Sequence, residues 1–252
     1  MDSGLAVKSN AIEVLERQLQ TRVKKGQYGI VVVGSATDAY LYHEEKWRLT
    51  DGMLKLFLKY RFPVFISTKS TLILRDIDLL KQIDEAAILP EDLKTDPGRG
   101  VILSVSVSSM NNQVANMLEP GAATPIERLK ILQQLKQSGF LCGVNAMPIL
   151  PWISDTEEEL EKIISAASGH GADYILVGGL TLFGNNPADS KILYYEFLKR
   201  YDPSLIPKYE KMYETNFFPS KRYRETLKQK AERISTKYNL RTAISGQHVE
   251  TN

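Results

Sequence analysis

Several polar side chains follow the strand-like runs of this chain, where α/β folds gather ligand chemistry. Lys69 comes just after Val64-Phe65-Ile66-Ser67. It can offer an ammonium to a ligand carboxylate, or it can be a solvated lysine at a strand end. Ser35 and Thr37 follow Ile30-Val31-Val32-Val33, and Ser104 and Ser106 close the run Val101 to Ser106. Hydroxyls both donate and accept, which suits sugar and amine groups. The alternation of Ser104 and Ser106 puts both on one face of their strand. If that face is interior, the hydroxyls need partners, either a ligand or neighbouring backbone. Glu119, in a loop, can pair with Arg128 or with a helix N-terminus. Tyr40, Tyr42, Trp47 and Trp152 near strand ends can line a cleft or pack loops onto the scaffold.

Other chemistries find less support. His43, His170 and His248 are too scattered for a metal-ligand spacing. The one cysteine, Cys142, lies on a predicted strand and reads as a small buried hydrophobe. A single thiol excludes an intramolecular disulfide and fits a reducing cytoplasm; it also cannot hold a cysteine-ligated cluster unaided. The net charge of +2 gives no global pull toward nucleic acid or an anionic membrane. No apolar run reaches the length of a membrane span, and MDSGLAVKSN lacks a signal peptide's apolar core. The run Lys221-Arg222-Tyr223-Arg224, with Lys228 and Lys230, can meet phosphates but reads first as a solvated helix face.

The elements that must hold these groups alternate along 252 residues. Asn10 to Val23 places Ile12, Leu15 and Leu19 on one helical face. Ile30 to Val33 is a β-branched run of the kind buried on both faces of a parallel sheet. Thr50 and Asp51 can start a helix carrying Met53, Leu54, Phe57 and Leu58, and Val64 to Ser67 is the next strand. A helix from Leu72 to Ile83, a loop near Asp92 to Gly100 and the strand Val101 to Ser106 follow. Thr124, Pro125 and Glu127 form a capping box before Ile126, Leu129, Leu132 and Leu135, and Gly139 suits the C′ position. Leu141 to Ile149 is a strand; Ser154 and Glu157 offer a second capping box for a helix with Leu160, Ile163, Ile164 and Ala167 buried. Tyr174 to Val177 is the last strand. Five alternations argue for right-handed parallel crossovers. Residues 187 to 239 are polar, aromatic and helical, punctuated by Pro203, Pro207 and Pro219.

Several of these segments resemble the radical SAM enzymes, in the branch of the spore photoproduct lyase and its DNA-repair-photolyase-like relatives. The stretch LEPGAATPIERLKILQQLKQSGFLCGVNAMPILP, Leu118 to Pro151, carries the resemblance most clearly. Gly34-Ser35-Ala36-Thr37-Asp38 resembles the family's Ser-x-Thr strand end, and Ser67-Thr68-Lys69-Ser70 the segment whose lysine meets the S-adenosylmethionine (SAM) carboxylate. Ser104-Val105-Ser106 resembles the segment near the ribose and amino acid. Glu119-Pro120-Gly121 resembles the family's Glu-Pro-Gly, and Gly143 to Pro148, with Met147, the strand beside the adenine. The match runs from about residue 7 to residue 180.

The resemblance implies an α/β fold, a partial (β/α)6 TIM-like barrel of the radical SAM type over residues 1–186, with a helical extension over residues 187–252. The first strand and the cluster loop are expected to be missing. It implies SAM as cofactor, with Ser35, Thr37, Lys69, Ser104, Ser106, Met147 and Pro148 as binding residues and Asp38, Tyr40, Glu119 and Arg128 as further candidates. The family's four-iron–four-sulfur cluster sits on CxxxCxxC, which a second chain or an upstream segment would have to supply. The completed protein would then cleave SAM reductively to a 5′-deoxyadenosyl radical acting on a nucleotide, on nucleic acid or on another substrate. Ala36 occupies the position of the lyase's hydrogen-donating cysteine, so strict lyase chemistry is not expected. The alternative is a cluster-less, non-catalytic module binding SAM, a nucleoside or a protein, its open strand edge favouring a protein partner.

Overall fold

The computed structural model describes residues 8–35 and 37–246. Five strands lie side by side in chain order: β1 (Val31–Val33), β2 (Val64–Thr68), β3 (Val101–Ser106), β4 (Leu141–Ile149) and β5 (Tyr174–Gly179). β1–β2 and β4–β5 pair in parallel, and the sheet is open, with β1 and β5 at its edges. The chain divides into two compact units, the division falling within β3. Among the described residues no helix is long and apolar enough to cross a membrane.

In the first unit, α1 (Ala11–Lys24) precedes β1, and the short α2 (Glu44–Trp47) leads into α3 (Leu49–Tyr60). The expected helix from Leu72 differs from the sequence reading. Thr71–Asp76 is a 3-10 segment, and α4 (Ile77–Ala86) begins only after Asp76, whose φ of −103° and ψ of 13° interrupt the α geometry. The core is aliphatic and aromatic, with Leu54, Phe57, Val64, Ile66, Ile73 and Leu80 buried.

The second unit holds α5 (Asn112–Leu118), α6 (Pro125–Gln137), α7 (Glu157–Gly169), α8 (Ser190–Tyr201), α9 (Ile206–Met212) and α10 (Lys221–Lys237). α6 starts as its sequence dictates. Thr124 accepts from the Glu127 N–H, and the Glu127 carboxylate accepts from the Thr124 N–H at 2.7 Å. It ends with Gly139 at φ +94°, while Gly139 N–H bonds Lys136 O and Phe140 N–H bonds Leu135 O, the Schellman arrangement. α7 corrects the sequence reading by two residues: Thr156 is its N-cap, accepting from the Glu159 N–H at 3.2 Å. Ser154 is occupied elsewhere, its hydroxyl accepting from the Leu150 N–H at 2.9 Å.

β4 and β5 interlock through two glycines. Gly143 lies opposite Tyr174, and a β-carbon on Gly143 would overlap the tyrosine ring. At the other end a β-carbon on Gly178 would overlap the Met147 side chain. The outer edge of β5 is bridged by Arg241, whose carbonyl accepts from the Ile175 N–H at 2.8 Å. A second buried cluster joins Leu150, Ile153, Leu180 and Leu182 to Tyr194, Phe197, Tyr209 and Tyr213 of the C-terminal helices.

Candidate functional site

In the first unit the chain turns sharply after β1. Gly34 has φ +89°, and a β-carbon there would strike the carbonyl oxygen of Ser67, so both conformation and space require glycine. Asp38 then fastens the turn: its Oδ1 accepts from the Thr68 hydroxyl at 2.7 Å and from the Tyr40 N–H at 2.9 Å. Ser35, Thr37 and Asp38 come together on the wall of a cavity of about 550 Å³, with Leu15, Val33, Met53 and Phe57 among its apolar lining. Tyr40 is not on that wall. It is 1% exposed, and burial, reinforced by the neighbouring Asp76 carboxylate, pushes its phenol far above the ordinary tyrosine value. Its placement is that of a packed core ring.

An ionic cluster beneath this turn has no local signature in the sequence. Glu44 is buried, yet its Oε2 accepts from the Thr50 N–H at 3.0 Å and its Oε1 from the Asp51 N–H at 3.3 Å, capping α3 from outside the helix. Arg75 neutralises it at 3.1 Å and grips Asp76 at 2.8 and 2.9 Å. The helix expected to start at Thr50 and Asp51 begins at Leu49, and the N–H groups of those two residues are satisfied by a carboxylate several residues upstream.

In the second unit, Lys69, Glu119, Arg128 and Ser106 are brought together. Arg128 is 1% exposed, an unusual position for a guanidinium. Its Nε donates to Ala123 O at 2.7 Å, and an η-nitrogen donates to Ser106 O at 2.9 Å and meets Glu119 Oε2 at 2.6 Å. The other carboxylate oxygen, Glu119 Oε1, lies 3.4 Å from Lys69 Nζ. These contacts join two cations to one carboxylate beside the carboxyl end of β3.

The remaining candidates lie along β3 and β4. Ser104 is 1% exposed, and its hydroxyl donates to Gly143 O at 3.3 Å while facing the Tyr174 hydroxyl at 3.5 Å. That is the backbone-bonded fate the sequence left open. Ser106, also buried, ends β3 and presents its carbonyl to Arg128. Met147 is 39% exposed and, with Pro148, occupies an irregularity between Ala146 and Ile149 in the β4–β5 ladder. Bulges of this sort re-aim side chains near sites. Beyond them, Trp152 has a left-handed φ of +59°, rare for so bulky a residue. The Asp155 carboxylate accepts from its N–H at 2.7 Å, and its half-exposed ring rests edge-on against Tyr209 at 5.1 Å. The basic run at the start of α10 is partly absorbed: Tyr223 donates to Asp155 at 2.7 Å, and Arg224 lies over Phe218 at 4.9 Å.

Cys142 is 1% exposed in β4, the buried small residue its context suggested. A four-iron–four-sulfur cluster needs several thiolates at defined spacing. One buried thiol does not fit that requirement, so this chain does not itself provide the ligands. Among the described residues no group of three or more His, Cys, Asp or Glu side chains is placed to hold a metal ion.

An open sheet of parallel strands and covering helices, with polar groups at the strand ends, defines the class of fold. No family model matches the chain. It is 27% identical over 239 residues to an uncharacterized protein of Mycobacterium tuberculosis, covering 95% of this chain and 65% of that protein. An uncharacterized protein of Acidianus two-tailed virus is 27% identical over 183 residues, covering 71% of this chain and 56% of the viral protein. The chain thus spans less than two thirds of the length of these relatives. Among solved structures, a spore photoproduct lyase variant with bound AdoMet and dinucleoside spore photoproduct superposes with a TM-score of 0.58 at 12% identity. That match covers 90% of this chain and 64% of the lyase. Streptococcus suis SuiB bound to S-adenosylmethionine gives a TM-score of 0.50 at 10% identity, covering 82% of this chain and 43% of SuiB. These likenesses establish the fold, a TIM-barrel-like α/β arrangement like that of the lyase and SuiB structures, with its sheet left open.

Proposed function

We propose that this chain is the SAM-binding part of a radical SAM protein of the lyase-like branch. The observation that carries the reading is the meeting of Lys69, Glu119 and Arg128 past the end of a β-strand. The Lys69 ammonium is the type of group that pairs with a carboxylate such as that of SAM. The fold shared with a lyase and with SuiB, both bound to SAM, supports it. In this proposal Lys69 binds the carboxylate, while Ser35, Thr37 and Ser106 offer polar contacts to ribose and amine. Ser104 steadies β3 from within, and Met147 and Pro148 present an apolar edge to the adenine. Asp38, Tyr40 and Arg128 shape the elements around these contacts.

Reductive cleavage of SAM to a 5′-deoxyadenosyl radical belongs to a completed protein, in which another segment or chain contributes CxxxCxxC. The chain would work in the cytoplasm on a nucleotide-type substrate, and the segment 187–252, of which residues 247–252 lie outside the described residues, would serve as a helical extension of the barrel. A second reading, a cluster-less SAM- or nucleoside-binding module, is favoured by one specific observation, the single buried Cys142. Calorimetric titration with SAM tests the shared core of both readings. Binding that weakens about tenfold in Lys69→Ala is expected for loss of a charge-assisted contact. No binding by the wild-type chain, or unchanged affinity in the variant, would sink the assignment.

A further inference from the structure

The second unit also holds large apolar side chains that face water and belong to none of the contacts described so far. Phe183, Leu193, Phe217 and Phe218 are each between 45% and 62% exposed. Hydrogen bonds gather their segments. Leu182 N–H donates to Phe217 O at 2.7 Å, which sets the chain around Phe183 beside the loop between α9 and α10. Phe183 N–H donates to the Ser190 hydroxyl at 3.0 Å, and Lys191 N–H donates to Phe183 O at 3.2 Å. Leu193 lies one turn along α8 from Ser190. Single exposed hydrophobics need no explanation, but a group of them marks an interaction surface.

The charge beside this patch is positive. The loop runs from Phe217-Phe218-Pro219-Ser220 into Lys221, Arg222 and Arg224, all exposed at the start of α10. Of these three, among the described residues, only Lys221 meets a carboxylate, that of Glu225 at 3.7 Å. From Lys208 to Lys230 seven basic residues stand against three acidic ones, although the whole chain carries only +2. Phenyl groups beside Lys and Arg are the combination that settles into a lipid headgroup layer, where the rings sink and the cations meet anionic headgroups. Nucleic acid would need open ring faces on which its bases could stack. Here the Arg224 guanidinium already sits 4.9 Å over the Phe218 ring, and Leu193 has no π face.

We propose that the Phe217-Phe218 loop and the start of α10 form a peripheral docking surface for an anionic lipid bilayer, with Phe183 and Leu193 widening its apolar contact. Such a surface lies on the membrane and needs no spanning helix; the described helices include none long and apolar enough to cross. The proposal stands apart from the SAM reading and does not depend on it.

Co-sedimentation of the full chain with vesicles tests it. Phosphatidylcholine vesicles containing about 30% phosphatidylserine should carry the wild type down, and vesicles of phosphatidylcholine alone about tenfold less. Raising the salt from about 0.1 M to about 0.5 M should release the protein, because screening shortens the reach of the cations. Arg222→Gln/Arg224→Gln changes only exposed positions and should weaken binding about fivefold per cation, roughly 25-fold together. Phe217→Ser/Phe218→Ser should weaken it about tenfold. If that pair melts early, Leu193→Ser on the exposed face of α8 replaces it, with a loss of about threefold or more expected. No sedimentation with the anionic vesicles, or equal sedimentation of wild type and variants, would overturn the proposal. Tighter binding to a thymidine oligonucleotide than to the vesicles would also overturn it, making the surface a nucleic-acid contact. A dimer in light scattering that Phe217→Ser/Phe218→Ser dissolves would overturn it in favour of an interface between copies of this chain.

Discussion

Arg128→Met is a demanding perturbation, because it removes one charge and strands three acceptors. The Arg128 side chain is 2% exposed, and its guanidinium serves Glu119, Ser106 O and Ala123 O. Deleting one partner of a buried pair costs about 3–5 kcal/mol. The surviving Glu119 is 20% exposed and keeps Lys69 at 3.4 Å, so part of its charge stays compensated. The expected cost therefore lies at the low end, about 3 kcal/mol. Arg128→Met/Glu119→Met removes the stranded charge as well, and should recover about 1 kcal/mol or more of the loss. Urea unfolding followed by far-UV circular dichroism reads both quantities, with an unchanged denaturant slope showing that the change lies in stability. A single variant within about 1 kcal/mol of wild type, or a double variant that is less stable than Arg128→Met, would refute the picture of Arg128 as a desolvated anchor.

Three further outcomes follow from neighbouring features. Gly143→Ala pushes a β-carbon into the Tyr174 ring and should cost about 1–3 kcal/mol, read as a lower melting temperature; an unchanged melt would show that the ring moves freely. Tyr209→Phe removes a buried hydroxyl that bonds Pro151 O at 2.6 Å and Tyr194 at 2.8 Å, for an expected loss of about 1–3 kcal/mol in the same assay. Thr124→Ala deletes the α6 cap and should cost about 1 kcal/mol near neutral pH. The Thr124 hydroxyl, and then its backbone N–H, hold the Glu127 carboxylate below its ordinary value, so the stabilisation from that carboxylate is present above the unfolded value and disappears as pH falls through the folded one. The difference between Thr124→Ala and wild type should accordingly shrink in acid, and a gap that widens would contradict the capping box.

What the sequence revealed depended on how far apart the interacting residues are. The cap of α6 was legible because Thr124, Pro125, Glu127 and Gly139 act within their own helix. The start of α7 was misplaced because Ser154 and Thr156 have the same capping chemistry, and only the fold reveals that Leu150 claims the serine. α5 went unread, since its cap Asn111 precedes a single short helix with no sustained apolar period. Pairing of Glu119 with Arg128 was among the alternatives, but the link onward to Lys69 spans fifty positions of chain and leaves no periodic trace. Glu44, which organises α3 and Arg75, leaves no mark in the sequence because nothing local distinguishes a buried carboxylate from an exposed one. Ser104 and Ser106 were correctly placed in alternation, yet the pattern could not reveal that Gly143 receives the first hydroxyl.

The paired glycines of β4 and β5 carry a consequence for how the strands find one another. Tyr174 from β5 fills the vacancy at Gly143, and Met147 from β4 fills the one at Gly178. The keys point in opposite directions and sit toward opposite ends of the ladder. Sliding β5 by two residues preserves its inward and outward faces, so patterning alone would tolerate the slip. The tyrosine ring would then meet a side chain at position 145 or 141 instead of empty space, and the methionine would lose its recess. Steric keys thus do for this parallel pair what a tight turn does for a hairpin: they choose one alignment from several that hydrophobicity would accept.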